Sequence, residues 1–416
     1  MNRRSFLSSL ALAATAAPLP KAKITRVRVY KPPNLNPTLN QSNMLVTVET
    51  DIGITGIGEG GTKDLLEHCG GSLIGKNPFE IERIWQHMYI DYFYPPGREK
   101  IHAAGALDMA LWDIKGKAFG APVHQLLGGM ARNHVECYGV PRASSSSGGP
   151  RGAGGFVNES AGPERVRELA QATMEAGFRC FRMDASVGGP IANQVFNTNE
   201  RIDLVVAACK AAREGVGRKG DWMIDLHQKF DYGDSSRICK QIEEYQPYLV
   251  EDPVRDEHAH QDLPKLRQIT TVKLAHGEEW GQRYDFNKLV ENHDIDYARC
   301  TLPNVGGITE MLKIMALCET HAVGIVPHFT GPISTAALLH CLGTFSGQVM
   351  VEIGSNQVLP AYLPQCHDFK NGRLWPNERP GLGVTVDFNA VQMIGEVTQA
   401  GMSRIYFRPD GSLTHW

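Results

Sequence analysis

The chain has 416 residues, of which 42% are hydrophobic and 21% charged, and its 42 Lys+Arg and 45 Asp+Glu residues give a formal net charge of −3. This balance leaves no basic excess to neutralise nucleic-acid phosphates, and no apolar run approaches the roughly 20 residues that a membrane span needs. The length exceeds that of one ordinary domain, so we expect two domains, or a large barrel with an appendage, in a globular enzyme.

The first 22 residues have the pattern of an export signal. Arg3 and Arg4 precede a short apolar stretch at positions 10–17, and the small residues at 14–16 fit an A-x-A cleavage site. The arginine pair favours the twin-arginine type, so we predict a periplasmic protein. The alternative is an ordinary N-terminal tail that contains two arginines.

The nine cysteines include no C-x-x-C pair, so zinc and thioredoxin-like motifs are not expected. Their number is odd, and several of them, such as Cys318 and Cys341, lie inside apolar runs, which favours buried thiols. We therefore do not expect a disulfide scaffold, although one bridge stays an open alternative.

Residues 23–133 predict an α+β unit. Residues 24–30 alternate apolar and polar side chains like a strand, and a second strand at 44–49 follows a loop rich in proline and asparagine. The segment 63–128 is mostly helical, and its stretch 104–118 carries an apolar stripe at helical spacing.

Between residues 134 and 375, short apolar strands alternate with amphipathic helices. Eight strands are predicted, namely Val135–Val140, Cys180–Asp184, Trp222–Leu226, Leu249–Glu251, Val272–Ala275, Tyr297–Thr301, Ile325–His328 and Val349–Glu352. This rhythm favours a closed parallel barrel, and we expect segment 376–416 to return and pack on the N-terminal unit. The Ser/Gly-rich loop 143–155 is either a flexible surface loop or a lid over the active site.

Three carboxylates lie at the predicted C-terminal ends of three consecutive barrel strands. They are Asp225, Glu251 and Glu278, and they follow one another at intervals of one βα unit. Functional residues of such barrels sit at these strand ends, so the three acids are expected to converge. Acids this close together need a cation, and their oxygen ligands suit Mg²⁺.

Histidines accompany these acids. His227 lies two residues after Asp225, and His276 lies two residues before Glu278, so strand alternation predicts each ring on the same face as its carboxylate. His328 ends the seventh predicted strand. Histidines on two sides of a metal site can remove and return protons near neutral pH.

The chain resembles the enolase superfamily, in its mandelate racemase and muconate-lactonizing branch. The matching segments are Val46–Gly53, Gly56–Glu59, Ala106–Lys117, Gly120–Val123, Leu126–Gly129, Glu251–Pro253, Gly277–Glu278, Gly306–Glu310 and Pro380–Gly383. The resemblance implies an α/β fold, in which an α+β capping domain at 23–133 sits on a (β/α)7β TIM-like barrel at 134–375. It also implies Mg²⁺ ligands at Asp225, Glu251 and Glu278, and an enediolate formed by removal of the proton α to a carboxylate.

The Asp225-x-His227 pattern resembles the acid-sugar dehydratases of the galactonate and mannonate types, in which this histidine assists loss of the 3-hydroxyl. Thr301 stands where the galactonate and racemase types carry the aspartate that pairs with the seventh-strand histidine. Another group would therefore have to orient that histidine. Arg182 stands where other branches carry a lysine base, and together with Arg299 it resembles the mannonate type.

We therefore expect a Mg²⁺-dependent dehydratase of a sugar acid. His328 would take the C2 proton, His227 would protonate the departing hydroxyl, and Glu352 would hydrogen-bond the substrate carboxylate or the intermediate. The same fold also allows racemisation or epimerisation of a 2-hydroxy acid, with the two histidines on opposite sides of the α-carbon. A non-catalytic periplasmic binding or sensing protein is a further alternative.

Substrate contacts are expected from Arg182, Arg299 and His276, and substrate choice from the cap loops 31–42 and 92–98. The expected partner is a small carboxylate, with neither nucleic acid nor membrane involved. A homo-oligomer is expected, since closed symmetric assembly is the default for such enzymes.

Overall fold

The computed structural model describes residues 20–36, 41–91, 97–140, 162–187, 195, 197–328, 331–354, 359–401 and 405–414. The predicted export signal lies outside the described residues up to position 19, as do the Ser/Gly-rich loop 143–155 and residues 92–96 of a predicted substrate loop. In the described part of the chain, no helix is both long and apolar enough to cross a membrane.

The N-terminal unit is an antiparallel sheet covered by helices. Its strands are β1 (Ile24–Lys31), β2 (Leu45–Thr50) and β3 (Thr55–Glu59), and its helices are α1 (Lys63–Gly71), α2 (Ile81–Ile90), α3 (Arg98–Phe119) and α4 (Val123–Leu126). Helix α3 lies directly on β3, because Gly56 and Gly58 leave room for the carbonyl groups of Ala110 and Ala106. A Cβ on either glycine would lie 1.9 Å from a carbonyl oxygen, so the close approach requires glycine.

Eight parallel strands form the barrel within the second sheet. They are β4 (Val135–Val140), β5 (Cys180–Asp184), β6 (Asp221–Asp225), β7 (Val250–Glu251), β8 (Leu274–His276), β9 (Tyr297–Ala298), β10 (Gly324–Ile325) and β11 (Val351–Gly354). Each strand from β4 to β9 pairs with the next, β11 pairs with β4, and a bridge from Ile325 on β10 to Val349 closes the ring.

Seven helices connect the eight strands, one after each strand from β4 to β10. They are α5 (Pro163–Glu175), α6 (Thr198–Val216), α7 (Tyr232–Ile242), α8 (Ala259–Arg267), α9 (Arg283–Glu291), α10 (Ile308–Thr320) and α11 (Pro332–Thr344). This order confirms the predicted (β/α)7β barrel with an α+β cap. The observed strands are shorter than predicted at several positions, most clearly at β9, where two residues replace the predicted five.

The barrel interior is filled by a buried apolar layer to which every strand or its flanking residue contributes. Its members are Tyr138, Cys180, Met223, Leu249, Ala275, Tyr297, Val326 and Met350. All eight side chains are at most 2% exposed, so the barrel is a packed core with no channel at this level. We call this layer the floor. The polar residues above it lie at the C-terminal end of the barrel strands, which we call the mouth.

Buried carboxylates of the cap hold the barrel through backbone N–H groups. Asp108 accepts hydrogen bonds from the backbone nitrogen (2.9 Å) and hydroxyl (2.5 Å) of Thr309, in the first turn of α10. Glu59 accepts from the backbone nitrogen of Ser334 (2.8 Å) in the first turn of α11. Acids at helix N-termini satisfy unpaired donors and complement the helix dipole, so these contacts stabilise the domain junction.

The C-terminal residues return to both units. The remaining strands are β12 (Asp368–Lys370), β13 (Arg373–Trp375), β14 (Gln392–Val397), β15 (Tyr406–Phe407) and β16 (Leu413–Thr414). Strand β13 pairs with β4 of the barrel, whereas β14 adds an antiparallel strand beside β1 of the cap. All nine cysteines are buried free thiols, so the chain has no disulfide scaffold in this structure.

Candidate active site

The polar residues of the barrel mouth lie one layer above the apolar floor. Two residues after a floor residue, on or just beyond the same strand, come Arg182, Asp225, Glu251, Arg299, His328 and Glu352. Because successive side chains of a strand alternate between its faces, a residue two positions on points to the same side. The alternation that buries the floor therefore also brings these six side chains together at the C-terminal end of the barrel.

Two arginines neutralise part of the acidic charge. Arg182 Nη1 lies 3.0 Å from Asp225 Oδ2 and 3.0 Å from Glu251 Oε1. Arg299 Nε lies 2.5 Å from Glu251 Oε1 and 3.6 Å from Glu278 Oε2. Both guanidinium groups are buried, so these contacts are little screened by water. Each arginine holds the acids in place, and its contact with substrate stays a prediction.

Glu352 is fixed from three sides. Its Oε2 accepts hydrogen bonds from Arg299 Nη2 (2.8 Å) and from the hydroxyl of Tyr138 (3.1 Å), while Oε1 lies 3.4 Å from Arg182 Nη2. Arg299 also donates to the hydroxyl of Tyr138 and to the carbonyl groups of Val326 and Pro327. Glu352 is therefore rigid in the mouth, and its contact with substrate stays a prediction.

The acids of the mouth outnumber its arginines. Burial, followed by the nearby charge of Glu251, raises the pKa of Asp225. Burial and the charge of Asp252 raise the pKa of Glu278 well above its usual range. The four carboxylates Asp225, Glu251, Glu278 and Glu352 face two guanidinium groups, so an added cation would relieve the remaining repulsion.

The residues present fit a hard divalent cation. Asp225 Oδ1 and Glu251 Oε2 are buried and accept no hydrogen bond among the described residues, while their other oxygens contact Arg182. Unpaired buried carboxylate oxygens are costly unless a cation binds them. The predicted ligands Asp225 and Glu251 are paired across β6 and β7, and Glu278 shares Arg299 with Glu251. The donor set is all oxygen, which suits Mg²⁺.

His227 lies against a second carboxylate, that of Asp184. His227 Nδ1 is 3.6 Å from Asp184 Oδ2, and the ammonium of Lys229 is 2.9 Å from Asp184 Oδ1. The charge of Asp225, together with that of Asp184, raises the pKa of His227 to about 9. Asp184 is a site residue that the sequence analysis missed, although it ends β5 two residues after Arg182 and is thus a strand-end acid.

Asp184, Asp225 and His227 offer three ligand atoms within 4.8 Å of one another, which is close enough to share a metal ion. Lys229 already supplies a positive charge to Asp184, however, and the backbone nitrogen of Ser186 donates to the same carboxylate at 2.6 Å. The partners of Asp184 therefore suit an orienting carboxylate better than a metal ligand.

The chain turns sharply at His227. His227 and Gln228 both have left-handed backbones, with φ of 51° and 56°. Such conformations cost energy in non-glycine residues and persist where the surroundings fix them. Here Gln228 is fixed, since its backbone nitrogen donates to Asp252 O at 3.0 Å and its side-chain oxygen accepts from Asp256 N at 2.9 Å.

His328 has the opposite environment. Its ring is buried, and burial, opposed by Glu352 and reinforced by Arg299, lowers its pKa to about 3. Its Nε2 lies 3.9 Å from Glu278 Oε2, and His227 Nε2 lies 3.9 Å from Glu278 Oε1. The two histidines thus approach the two oxygens of one carboxylate. Gln41 of the cap also reaches His328, with its Nε2 at 3.4 Å from the ring Nε2.

Contrary to the prediction from strand alternation, His276 does not share the inner face of the barrel with Glu278, and its contact with substrate stays a prediction. The neighbour Ala275 belongs to the inner floor, so His276 points to the other face of β8, where its ring packs edge-on against Trp280. Its ring nitrogens lie 3.0 Å from Asp252 and 2.9 Å from Asp256, and the side chain is fully buried. Gly277, with φ of 113°, breaks the alternation that the prediction carried through to Glu278.

Thr301 does not act as a partner of His328 among the described contacts. Its hydroxyl donates to the carbonyl of Glu278 at 2.8 Å, and Asn304 Nδ2 donates to the same carbonyl at 3.1 Å. Thr301 therefore fixes the backbone of Glu278.

A cavity of about 540 Å³ opens beside this cluster. It is lined by Arg98, His227, Gln228, Asp256, Glu257, Glu278 and Glu279. Arg98 comes from the predicted substrate loop of the cap and lies 3.1 Å from Asp256 of the barrel. The cavity reaches His227 and Glu278 and is large enough to admit a small polar molecule.

Two family models match the chain. The mandelate racemase / muconate lactonizing enzyme N-terminal domain matches residues 23–128, and the enolase C-terminal domain-like model matches residues 165–391. Among curated relatives, a D-galactonate dehydratase of Pectobacterium atrosepticum is 30% identical and one of Ralstonia pickettii is 31% identical. Each alignment covers 95% of this chain and 100% of the relative.

Solved structures show the same fold. A member of the enolase superfamily from Salmonella Typhimurium superposes with a TM-score of 0.79 at 24% identity, covering 90% of this chain and 100% of that one. An enolase protein from the Sargasso Sea environmental genome superposes with a TM-score of 0.76 at 24% identity, covering 91% and 99%. At this identity the likeness concerns the fold alone.

Proposed function

Because the chain belongs to the mandelate racemase / muconate lactonizing enzyme branch of the enolase superfamily, we propose that it is a Mg²⁺-dependent hydro-lyase that removes water from a sugar acid. Family membership confirms the resemblance found in the sequence. The proposal for the substrate class is supported by curated relatives named D-galactonate dehydratase, which align with this chain over their whole length.

The observation that carries the proposal is the placement of two histidines around Glu278. His227 and His328 present their Nε2 atoms to different oxygens of this carboxylate, each at 3.9 Å. A substrate carbon bound beside Glu278 would therefore have one histidine on each side. Elimination needs a base for one proton and an acid for the departing hydroxyl, and this pair can supply both.

The bound cation would be held by Asp225, Glu251 and Glu278. Its chemistry would be electrostatic stabilisation of the negative charge that develops on the substrate carboxylate, worth several kcal/mol. Arg182 and Arg299 keep the ligand carboxylates oriented through their ion pairs. The ligands thus need little rearrangement when they bind the cation.

In the proposed reaction, His328 removes the C2 proton, because its buried ring is neutral and faces Glu278. His227 protonates the hydroxyl that leaves C3, since the carboxylate of Asp184 favours its charged form. Lys229 holds Asp184 in turn. The opposite surroundings of the two rings suit elimination, in which base and acid keep fixed roles.

Racemisation or epimerisation is the second candidate, because two histidines on opposite sides of a carbon also suit 1,1-proton transfer. In that reaction the two rings must exchange roles between forward and reverse turnover. Their different surroundings favour dehydration, and incubation in deuterated solvent separates the two reactions: epimerisation exchanges the α-proton without loss of water.

A screen of acid sugars, D-galactonate among them, with the full chain and Mg²⁺ tests the proposal. We expect a 2-keto-3-deoxy product from at least one sugar acid and none with Glu251→Gln. Exchange at C2 without product would establish the racemase or epimerase alternative. Tight binding of a sugar acid without any exchange or turnover would contradict catalysis and support a binding protein.

We further propose that the protein is exported to the periplasm and forms a homo-oligomer. The support for export is the Arg3-Arg4 pair followed by an apolar stretch and an A-x-A site. Replacing both arginines with lysine should leave the protein in the cytoplasmic fraction. Light scattering of the purified chain gives its oligomeric state, and a monomer would contradict the second proposal.

A further inference from the structure

We propose that Tyr138, on β4, is a positioning residue that fixes the orientation of the Glu352 carboxylate in the mouth. Tyr138 belongs to the floor and is fully buried, but its hydroxyl group reaches the polar layer above it. The inference rests on the proposed function, with Glu352 in the role predicted from the sequence, that of a hydrogen-bond partner of the substrate carboxylate or the intermediate.

The hydroxyl of Tyr138 connects a cation to an anion. Arg299 Nη1 donates to this hydroxyl at 2.7 Å, and the hydroxyl donates to Glu352 Oε2 at 3.1 Å. The directions are fixed, because a guanidinium group has donors only and a carboxylate has acceptors only. The single proton of the hydroxyl therefore points at Glu352, whose Oε2 also accepts from Arg299 Nη2 at 2.8 Å.

The two oxygens of Glu352 are held unequally. Oε2 accepts from the two donors described above, whereas Oε1 lies 3.4 Å from Arg182 Nη2, which is longer than an ordinary hydrogen bond of this type. Tyr138 thus helps to hold the carboxylate on the side of Arg299. Without its hydroxyl, the attraction of Arg182 would act against one bond from Arg299, and the carboxylate would turn toward Arg182.

A second tyrosine of the floor supplies a comparison. The hydroxyl of Tyr297 donates to Gln348 Oε1 at 2.8 Å and lies 3.3 Å from the ammonium of Lys273. Both partners precede their strands, so this hydroxyl points to the N-terminal end of the barrel. A buried hydroxyl is costly unless it is hydrogen-bonded. The partners at the mouth therefore account for the hydroxyl of Tyr138, and those at the opposite end account for that of Tyr297.

The first test removes each hydroxyl in turn and keeps the ring in the floor. With Tyr138→Phe, we expect kcat/KM for the sugar acid to fall about tenfold, which corresponds to the loss of one hydrogen bond to a charged group. Tyr297→Phe is the matched control, since it makes the same chemical change in the same layer, and it should change kcat/KM less than twofold. The melting temperature of each variant shows that the activities refer to folded protein.

A double-mutant cycle separates positioning of Glu352 from packing of the floor. Tyr138→Phe is combined with Glu352→Ala, which removes the carboxylate that Tyr138 holds. If Tyr138 acts through Glu352, Tyr138→Phe should change kcat/KM less than twofold in the Glu352→Ala background. A tenfold fall in both backgrounds would assign Tyr138 a packing role and would overturn the proposal, as would an unchanged kcat/KM in Tyr138→Phe alone.

Crystal structures of the full chain with Mg²⁺, as wild type and as Tyr138→Phe, give a readout that needs no turnover. We expect Glu352 Oε1 to lie about 2.9 Å from Arg182 Nη2 in the variant, at an ordinary hydrogen-bond length. A Glu352 carboxylate that keeps its wild-type position would overturn the proposal. If no sugar acid reacts with the wild type, the proposed function fails, whereas these structures still decide whether Tyr138 positions Glu352. They also decide it if Glu352→Ala does not fold.

Discussion

The chain buries carboxylates in two regions, and their partners differ. Where helix α3 of the cap meets the barrel and the C-terminal segment, both oxygens of Asp113 are paired, one with the backbone nitrogen of Leu382 and the other with Ile57 N and Lys117. In the barrel mouth, Asp225 and Glu251 each keep a buried oxygen that accepts no hydrogen bond among the described residues. A buried acid with its own donors supports the fold, whereas the acids that face one another in the mouth are the ones proposed to bind a cation.

We expect the largest loss of activity when an acid of the barrel mouth is replaced. Glu251→Gln removes one cation ligand and one of the acids that Arg182 and Arg299 hold, so kcat for the sugar acid should fall at least about 1,000-fold. Mg²⁺ should also no longer raise the melting temperature. The control is Glu175→Gln, at an exposed position of α5, which should change neither. A Gln variant with a tenth of wild-type activity would contradict the ligand assignment.

The pH dependence of the free energy of unfolding tests whether the buried carboxyl of Asp108, at the junction of cap and barrel, is protonated in the folded protein. Burial raises the pKa of Asp108 from 3.8 to about 7, so between these values the folded protein keeps a proton that the unfolded chain releases. The contribution of Asp108 to the free energy of unfolding should therefore fall by about 4 kcal/mol as pH rises from 4 to 7. Asp108→Asn should remove this fall. If urea unfolding of both proteins depends equally on pH, Asp108 does not titrate as described.

Removing Asp113, whose oxygens are both hydrogen-bonded, should lower the free energy of unfolding without lowering kcat. Asp113→Ala leaves the backbone nitrogens of Leu382 and Ile57 unpaired, and we expect a loss of about 3 kcal/mol in the free energy of unfolding. The kcat of the folded fraction should stay within twofold of the wild type. Asp64→Ala, at an exposed aspartate of α1, serves as the control in the same denaturation experiment.

The smallest effect is expected at Asp184, which acts through His227. Asp184→Asn keeps the size of the side chain but removes the charge that faces His227 and Lys229, so kcat should fall about tenfold with little change in KM. Steady-state kinetics of both proteins at several pH values measure this. An unchanged kcat would show that His227 needs no carboxylate partner.

The sequence was sufficient to predict the positions of those site residues that follow the alternation of side chains along a strand. Asp225, Glu251 and Glu352 were placed correctly at the mouth because each lies two residues beyond a buried apolar residue. The same rule failed for His276, since Gly277 turns the backbone before Glu278 is reached. Alternation is a local rule, and one residue with positive φ ends its validity.

Contacts between segments far apart in the chain could not be predicted from the sequence. Gln41 lies in a cap loop without periodicity and is 287 residues away from His328, so no pattern along the chain connects them. The ion pairs of Arg182 and Arg299 with the acids likewise depend on the three-dimensional arrangement of six strands. The residue types indicated charge at the mouth, but only the structure shows which charges pair.

One measurement tests the central claim that His328 is the base and His227 the acid on the two sides of Glu278. The sugar acid that the wild type dehydrates is incubated with His227→Asn in D₂O, and ¹H NMR follows the C2 proton and the 2-keto-3-deoxy product. We predict exchange of the C2 proton without formation of product, and neither event with His328→Asn. Product formation by His227→Asn at the wild-type rate would contradict the assignment.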